Sequence, residues 1–137
     1  MAIPNGAGGY QVGDGNVSDP LIDLTAEPIS ITATATLTPA QVLNGLILAN
    51  SGITSAQTYT LPTVAQIEAV LVNSDRVGTS FTFRLVNLGT SSGTAVVAAG
   101  TGWTVTGSLT MTIPVTTGAL LVARKTAAGA WTLYRVA

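Results

Sequence analysis

The second half of the chain constrains the fold most. From Ser80 onward, strand-length segments follow one another with only short turns between them. The segments are Ser80 to Leu88, Thr94 to Ala99, Trp103 to Thr106, Ser108 to Ile113, Ala119 to Lys125 and Trp131 to Val136. The gaps between them (89–93, 100–102, 107, 114–118 and 126–129) are rich in glycine. Strands at this spacing, joined by Gly-rich turns, indicate a sandwich or a barrel. The expected fold is all-β: a β-sandwich, jelly-roll-like or β-tulip-like, with one or two short helices and an extended N-terminal arm.

The helices are expected before Ser80. Residues 29–38 alternate, with Ile29, Ile31, Ala33, Ala35 and Leu37 on one face and Ser or Thr on the other. A period of two predicts a strand with one apolar and one hydroxyl face. Thr38 is a candidate N-cap and Pro39 suits the first helical position, which predicts a helix to about Leu48. A strand over Gln57 to Leu61 follows, and Thr63 with Gln66 forms a capping box. Val64, Ile67, Val70 and Leu71 then make a helical stripe. Both units read strand, then Leu-Thr or Leu-Pro, then a short helix containing Ala-Gln. That similarity is too brief to define a repeat.

Residues 1–27 differ in character from the domain that follows, 28–137. Gly6, Gly8, Gly9, Gly13 and Gly15 loosen the backbone, and few apolar residues offer burial. Such a segment builds no core of its own and reads as an extended arm that orders on contact. Tyr10 stands in it with no local core to enter, which marks it as an anchor for a partner pocket.

Composition narrows the chemistry. Five Lys or Arg and six Asp or Glu make up 8% of the 137 residues, against roughly 25% in an ordinary domain. Threonine and serine together far outnumber them. There is no His and no Cys. Disulfides are therefore impossible, His-based catalysis is gone, and the usual zinc ligands are missing. A net charge of −1 argues against tight binding to a nucleic-acid backbone. The N-terminus lacks the basic and apolar regions of a leader. Residues 28–67 carry no charge, but polar residues and Gly or Pro interrupt them too often for a membrane span. The expectation is a soluble chain made in a cytoplasm, with no cofactor.

The few charges are segregated. All six acids (Asp14, Asp19, Asp23, Glu27, Glu68, Asp75) precede all five bases (Arg76, Arg84, Arg124, Lys125, Arg135). Interleaved strands would mix them within one fold. Alternatively, an acidic arm complements a basic patch on a neighbouring subunit.

Candidate sites are weak. Asp14-Gly15-Asn16-Val17-Ser18 begins like a calcium loop, but Asp19 stands where Gly is needed and Thr25 where the bidentate Glu belongs. Four of the six acids lie in the Gly-rich arm, a poor place to hold two carboxyls at a glycosidase separation. A Ser-Lys dyad would have to use Lys125, and no serine is marked as its partner. Asn16-Val17-Ser18 matches a glycosylation sequon without any sign of secretion. The aromatics are few and are expected to pack in the core or between subunits.

Several stretches carry a resemblance. They are Thr36-Leu37-Thr38-Pro39-Ala40-Gln41-Val42-Leu43-Asn44-Gly45, then Tyr59-Thr60-Leu61-Pro62-Thr63-Val64, then Phe83-Arg84-Leu85-Val86-Asn87-Leu88-Gly89. The last is Ala98-Ala99-Gly100-Thr101-Gly102-Trp103-Thr104-Val105, closed by Trp131-Thr132-Leu133-Tyr134-Arg135. With the Gly-rich arm before them, residues 25–137 resemble the capsid decoration (cement) proteins and head-fibre modules of tailed bacteriophages. The resemblance implies a non-enzymatic, β-rich, often trimeric protein on the capsid exterior. It would bridge major capsid protein subunits and stabilise the expanded head. In several such families an N-terminal arm adds a strand to a capsid-protein sheet. The arm residues expected to do so here are Tyr10, Gln11, Val12, Asp14, Asp19, Leu21 and Asp23. A competing expectation is a tail-fibre or receptor-binding module that reads host carbohydrate through exposed aromatics such as Trp103 or Trp131. Neither nucleic acid nor membrane is an expected partner.

Overall fold

The computed structural model of the chain describes residues 26–106 and 111–137. These are mostly strand, with two short helices, as an all-β fold requires. The elements in chain order are β1 (Ile29–Ile31), β2 (Ala35–Thr36), α1 (Pro39–Leu43), β3 (Leu46–Ala49), β4 (Gln57–Thr60) and α2 (Val64–Val70). They continue with β5 (Ser80–Asn87), β6 (Ala95–Ala98), β7 (Trp103–Thr106), β8 (Thr112–Ile113), β9 (Gly118–Ala127) and β10 (Ala130–Arg135).

The strands form two mixed sheets. One has six strands in the order β1-β3-β5-β9-β10-β7, and the other has four in the order β2-β4-β6-β8. The chain switches sheets at almost every step. β1, β3 and β5 run parallel in the first sheet, with Ile29 beside Ile47 and Ile47 beside Leu85. β2, β4 and β6 run parallel in the second, with Ala35 beside Tyr59 and Tyr59 beside Val97. The two strand-and-helix units of the first half therefore lie side by side as successive rungs. β9 then closes antiparallel on β5, and β10 on β9.

The predicted strand over 29–38 is two strands in different sheets. Only Ile31 and Leu37 of its apolar face are buried, while Ala33 and Ala35 are exposed. Alanine offers little area to hold a face inward, and side-chain bonds take over the crossing. The backbone N–H of Thr34 donates to Gln57 Oε1 at 2.7 Å, and its hydroxyl accepts from the Thr58 N–H at 3.1 Å.

The first helix also differs from expectation. Thr38 caps it in a full capping box with Gln41, but it ends at Leu43 rather than near Leu48. Gly45, at φ +88°, turns the chain, and Leu46–Ala49 becomes a strand. A four-residue apolar run fits both a strand and a buried helix, and here the parallel slot between β1 and β5 decides. α2 keeps its predicted box of Thr63 and Gln66. Of its predicted stripe, Val64 and Ile67 are fully buried, Leu71 packs partly against the core, and Val70 stays 55% exposed. One buried cluster draws residues from both sheets and both helices, and Trp131, Tyr59, Phe83, Ile47, Leu85 and Leu121 are among its largest fully buried side chains.

Candidate functional site

The arm residues singled out above (Tyr10, Gln11, Val12, Asp14, Asp19, Leu21 and Asp23) lie outside the described residues, as do the four residues 107–110. The described residues begin just before β1, at residue 26. The Asn44 side-chain amide donates to the Glu27 carbonyl at 3.1 Å and to the Leu46 carbonyl at 3.3 Å. That clamp fixes the entry into β1, which among the described residues stands at the edge of the six-stranded sheet with β3 as its neighbour. β7 forms the opposite edge, and β2 and β8 are the edges of the smaller sheet.

The buried polar groups are tied to one another. Lys125, 6% exposed, lies in an ion pair with Glu68 at 2.7 Å and donates to the Ser74 carbonyl at 2.7 Å. Trp131 Nε1–H donates to the same Glu68 oxygen at 3.0 Å. These donors, Lys125 first, hold the Glu68 carboxyl below the usual carboxylate range. The cluster staples α2 to β9 and β10. It also joins an acid of the first half to a base of the second, so for this pair the segregated charges do mix within the fold.

A second cluster lies at the ends of β3 and β5. The Tyr59 hydroxyl donates to Asn50 Oδ1, and the Asn50 amide donates to the Gly93 carbonyl at 2.7 Å. The Asn87 amide reaches the carbonyls of Gly93, Ile113 and Pro114 at 2.9–3.0 Å, and its oxygen accepts from the Gly89 N–H at 2.9 Å. Burial raises the Tyr59 pKa, opposed by the Asn50 backbone, which favours the phenolate. Both clusters pin loops and leave no buried side-chain donor or acceptor unpaired among the described residues.

The tryptophans pack inward. Trp131 is fully buried and Trp103 is 7% exposed, with ring centroids 6.0 Å apart. Phe81 packs against Trp131 at 5.6 Å, and Trp103 Nε1–H donates to the Pro62 carbonyl at 2.7 Å. Neither indole is available as a sugar-stacking platform. Among the described residues no group of three His, Cys, Asp or Glu is placed to hold a metal. No described helix is long and apolar enough to cross a membrane.

The described surface carries apolar and hydroxyl patches as well as its few exposed charges. Val70 and Val72, 55% and 78% exposed, line a groove of about 270 Å³ between the end of α2 and the start of β5, and Val77 nearby in sequence is 61% exposed. The sequence signal for this patch was the Val70-Leu71-Val72 run, since three consecutive residues at a helix end do not all face one side. The smaller sheet turns Thr36, Thr58, Thr60 and Thr112 outward. No family model, curated protein or solved structure matches the chain.

Proposed function

We propose that this chain is a non-enzymatic structural protein of a virion. In this reading it is a homotrimeric capsid decoration protein on the exterior of a phage head, made in the host cytoplasm, that bridges major capsid protein subunits. The observation that supports it best is the junction between arm and body. The Glu27 carbonyl is clamped by Asn44, and two residues later the chain becomes edge strand β1. A partner that captures the arm is thereby set beside β1, the outermost described strand of its sheet, where strand addition would continue the ladder. Ordering an arm costs entropy, and strand addition offsets it by satisfying backbone donors and acceptors. Three arms on one trimer would turn weak contacts into firm attachment through effective concentration.

A sandwich reading of the fold belongs with this proposal. Two sheets enclosing one core support it, and the parallel rungs set the topology apart from a purely antiparallel jelly roll. The competing tail-fibre reading gains nothing from Trp103 or Trp131, since both are buried. The test is deletion of residues 1–20. The truncated chain should remain a folded oligomer and fail to cosediment with expanded, undecorated heads. Undiminished cosedimentation would overturn the role of the arm.

A further inference from the structure

The outer face of the six-stranded sheet is unlike that of its smaller partner. Alternation along the strands, together with the ladder register, assigns the outward positions. Leu48 lies beside Val86 on β3 and β5, Leu120 lies opposite Arg84, and Val122 sits between Thr82 and Tyr134. Val136 continues the row past β10, where its N–H donates to the Leu120 carbonyl, and it is 53% exposed. All six apolar side chains (Leu48, Val86, Leu120, Val122, Tyr134, Val136) keep some contact with solvent. The corresponding face of the smaller sheet is mainly threonine.

The central strands carry apolar residues on both faces. Leu46–Ala49 and Ala119–Ala123 are unbroken apolar runs, the pattern of strands covered on two sides. The core covers one side of them. Among the described residues, Arg84 and Arg124 are the exposed charges on the other side, and no acid shares it. An apolar centre with an aromatic residue and arginines around it has the composition of a protein interface.

We propose that a second copy of this chain covers this face. Six strands at about 4.8 Å spacing, with about five residues each at about 3.3 Å rise, span roughly 450–500 Å². Packed face to face, two such surfaces bury roughly 1,000 Å² in total, which reaches the lower range of specific interfaces. Charge complementarity also favours a copy. The leading segment carries Asp14, Asp19, Asp23 and Glu27 and enters at β1, an edge of this same sheet. A copy brings four more acids, opposite in sign to Arg84 and Arg124. A face-to-face pair is twofold, so this inference rests on the self-association in the proposed function but not on its threefold symmetry, and it is independent of capsid binding.

The experiment is analytical ultracentrifugation of the full chain, of a Leu48→Lys/Val122→Lys pair, and of Val96→Lys on the outer face of the smaller sheet. The wild type should sediment as an oligomer. The pair should weaken association at least tenfold while keeping its far-UV spectrum, and Val96→Lys should leave association unchanged. A second measurement, independent of how the lysine pair folds, uses the absence of native cysteine. Maleimide labelling of V122C should be at least tenfold slower in concentrated than in dilute protein. A wild type monomeric at the highest attainable concentration would overturn the proposal. So would an oligomer indifferent to the folded lysine pair, or V122C labelling at the same rate at both concentrations. If instead only head cosedimentation of the otherwise intact oligomer fails, the capsid reading falls and this interface stands.

Discussion

Replacing Glu68 with Gln should destabilise the fold at neutral pH and do little in acid. Lys125 Nζ lies 2.7 Å from Glu68 Oε1, and Trp131 Nε1–H donates to that same oxygen at 3.0 Å. Glutamine keeps the shape and an acceptor for the indole but loses the negative charge. Lys125 is only 6% exposed, so its ammonium has little water to turn to. Breaking a buried pair costs about 3–5 kcal/mol, and breaking an exposed one at most about 1 kcal/mol. The Glu68 side chain is 25% exposed, which places the expected loss between these limits, at about 2–3 kcal/mol. The pH dependence follows from the lowered pKa, caused first by the bond from Lys125 and then by that from Trp131. A carboxyl whose folded pKa lies below its ordinary 4.5 stabilises fully above that value, and the contribution is lost as pH falls through the folded pKa. In strong acid the wild type carries a neutral Glu68 and resembles the variant. Urea unfolding followed by Trp131 fluorescence, at neutral pH and well below the ordinary carboxyl pKa, measures the difference. Glu68→Gln/Lys125→Met should recover part of the loss, because an apolar replacement leaves no unpaired charge. An equal loss at both pH values, or none at neutral pH, would refute the reasoning.

Other expected outcomes come from the loops, the glycines and the arm. Asn87→Ala leaves the Ile113 and Pro114 carbonyls and the Gly89 N–H without this side chain, and should cost about 3 kcal/mol or more by urea unfolding. Gly100→Ala would place a Cβ 2.2 Å from the Leu61 carbonyl oxygen, so backbone must shift at a cost of about 2–3 kcal/mol. Gly45→Ala meets nothing within 4 Å and bears only the penalty of φ +88°, about 1–2 kcal/mol, so it should unfold at higher urea than Gly100→Ala. Thr63→Ala removes the cap of α2 and should lower stability by about 1 kcal/mol. Head binding that rests on the acidic arm should weaken steeply between low and physiological salt in a cosedimentation series, and salt-independent binding would leave the segregated charges without a role.

The sequence was most legible where glycine punctuates it. Trp103–Thr106 matches its expected bounds, and β5, β6, β9 and β10 fall within a few residues of theirs. The Thr63 and Gln66 box was readable because capping is a local bond three residues apart. What failed was information held at a distance. β3 was hidden in a predicted helix because its apolar run has no period of its own and takes its state from β1 and β5. The sheet switch at residues 32–34 broke an alternation whose alanines had too little area to defend it. Parallel pairing was illegible, since a period of two names a face and not a neighbour. For the site, the Asn44 bond to the Glu27 carbonyl could not be foreseen, because it joins residues seventeen apart through a side chain with no local pattern. The outward leucines and valines were visible as unbroken runs whose second face had no assigned cover.

The strand order also bears on how the chain leaves the ribosome. β1, β3 and β5 can align as they emerge, yet the other neighbour of β5 is β9, which is made last but one. Until residues 118–127 arrive, β5 presents an unsealed edge of eight residues. Such an edge is a template for pairing with other nascent chains. The final strands are therefore the seal of the sheet. Chains interrupted near residue 100 should fall into inclusion bodies, whatever the stability of the finished fold.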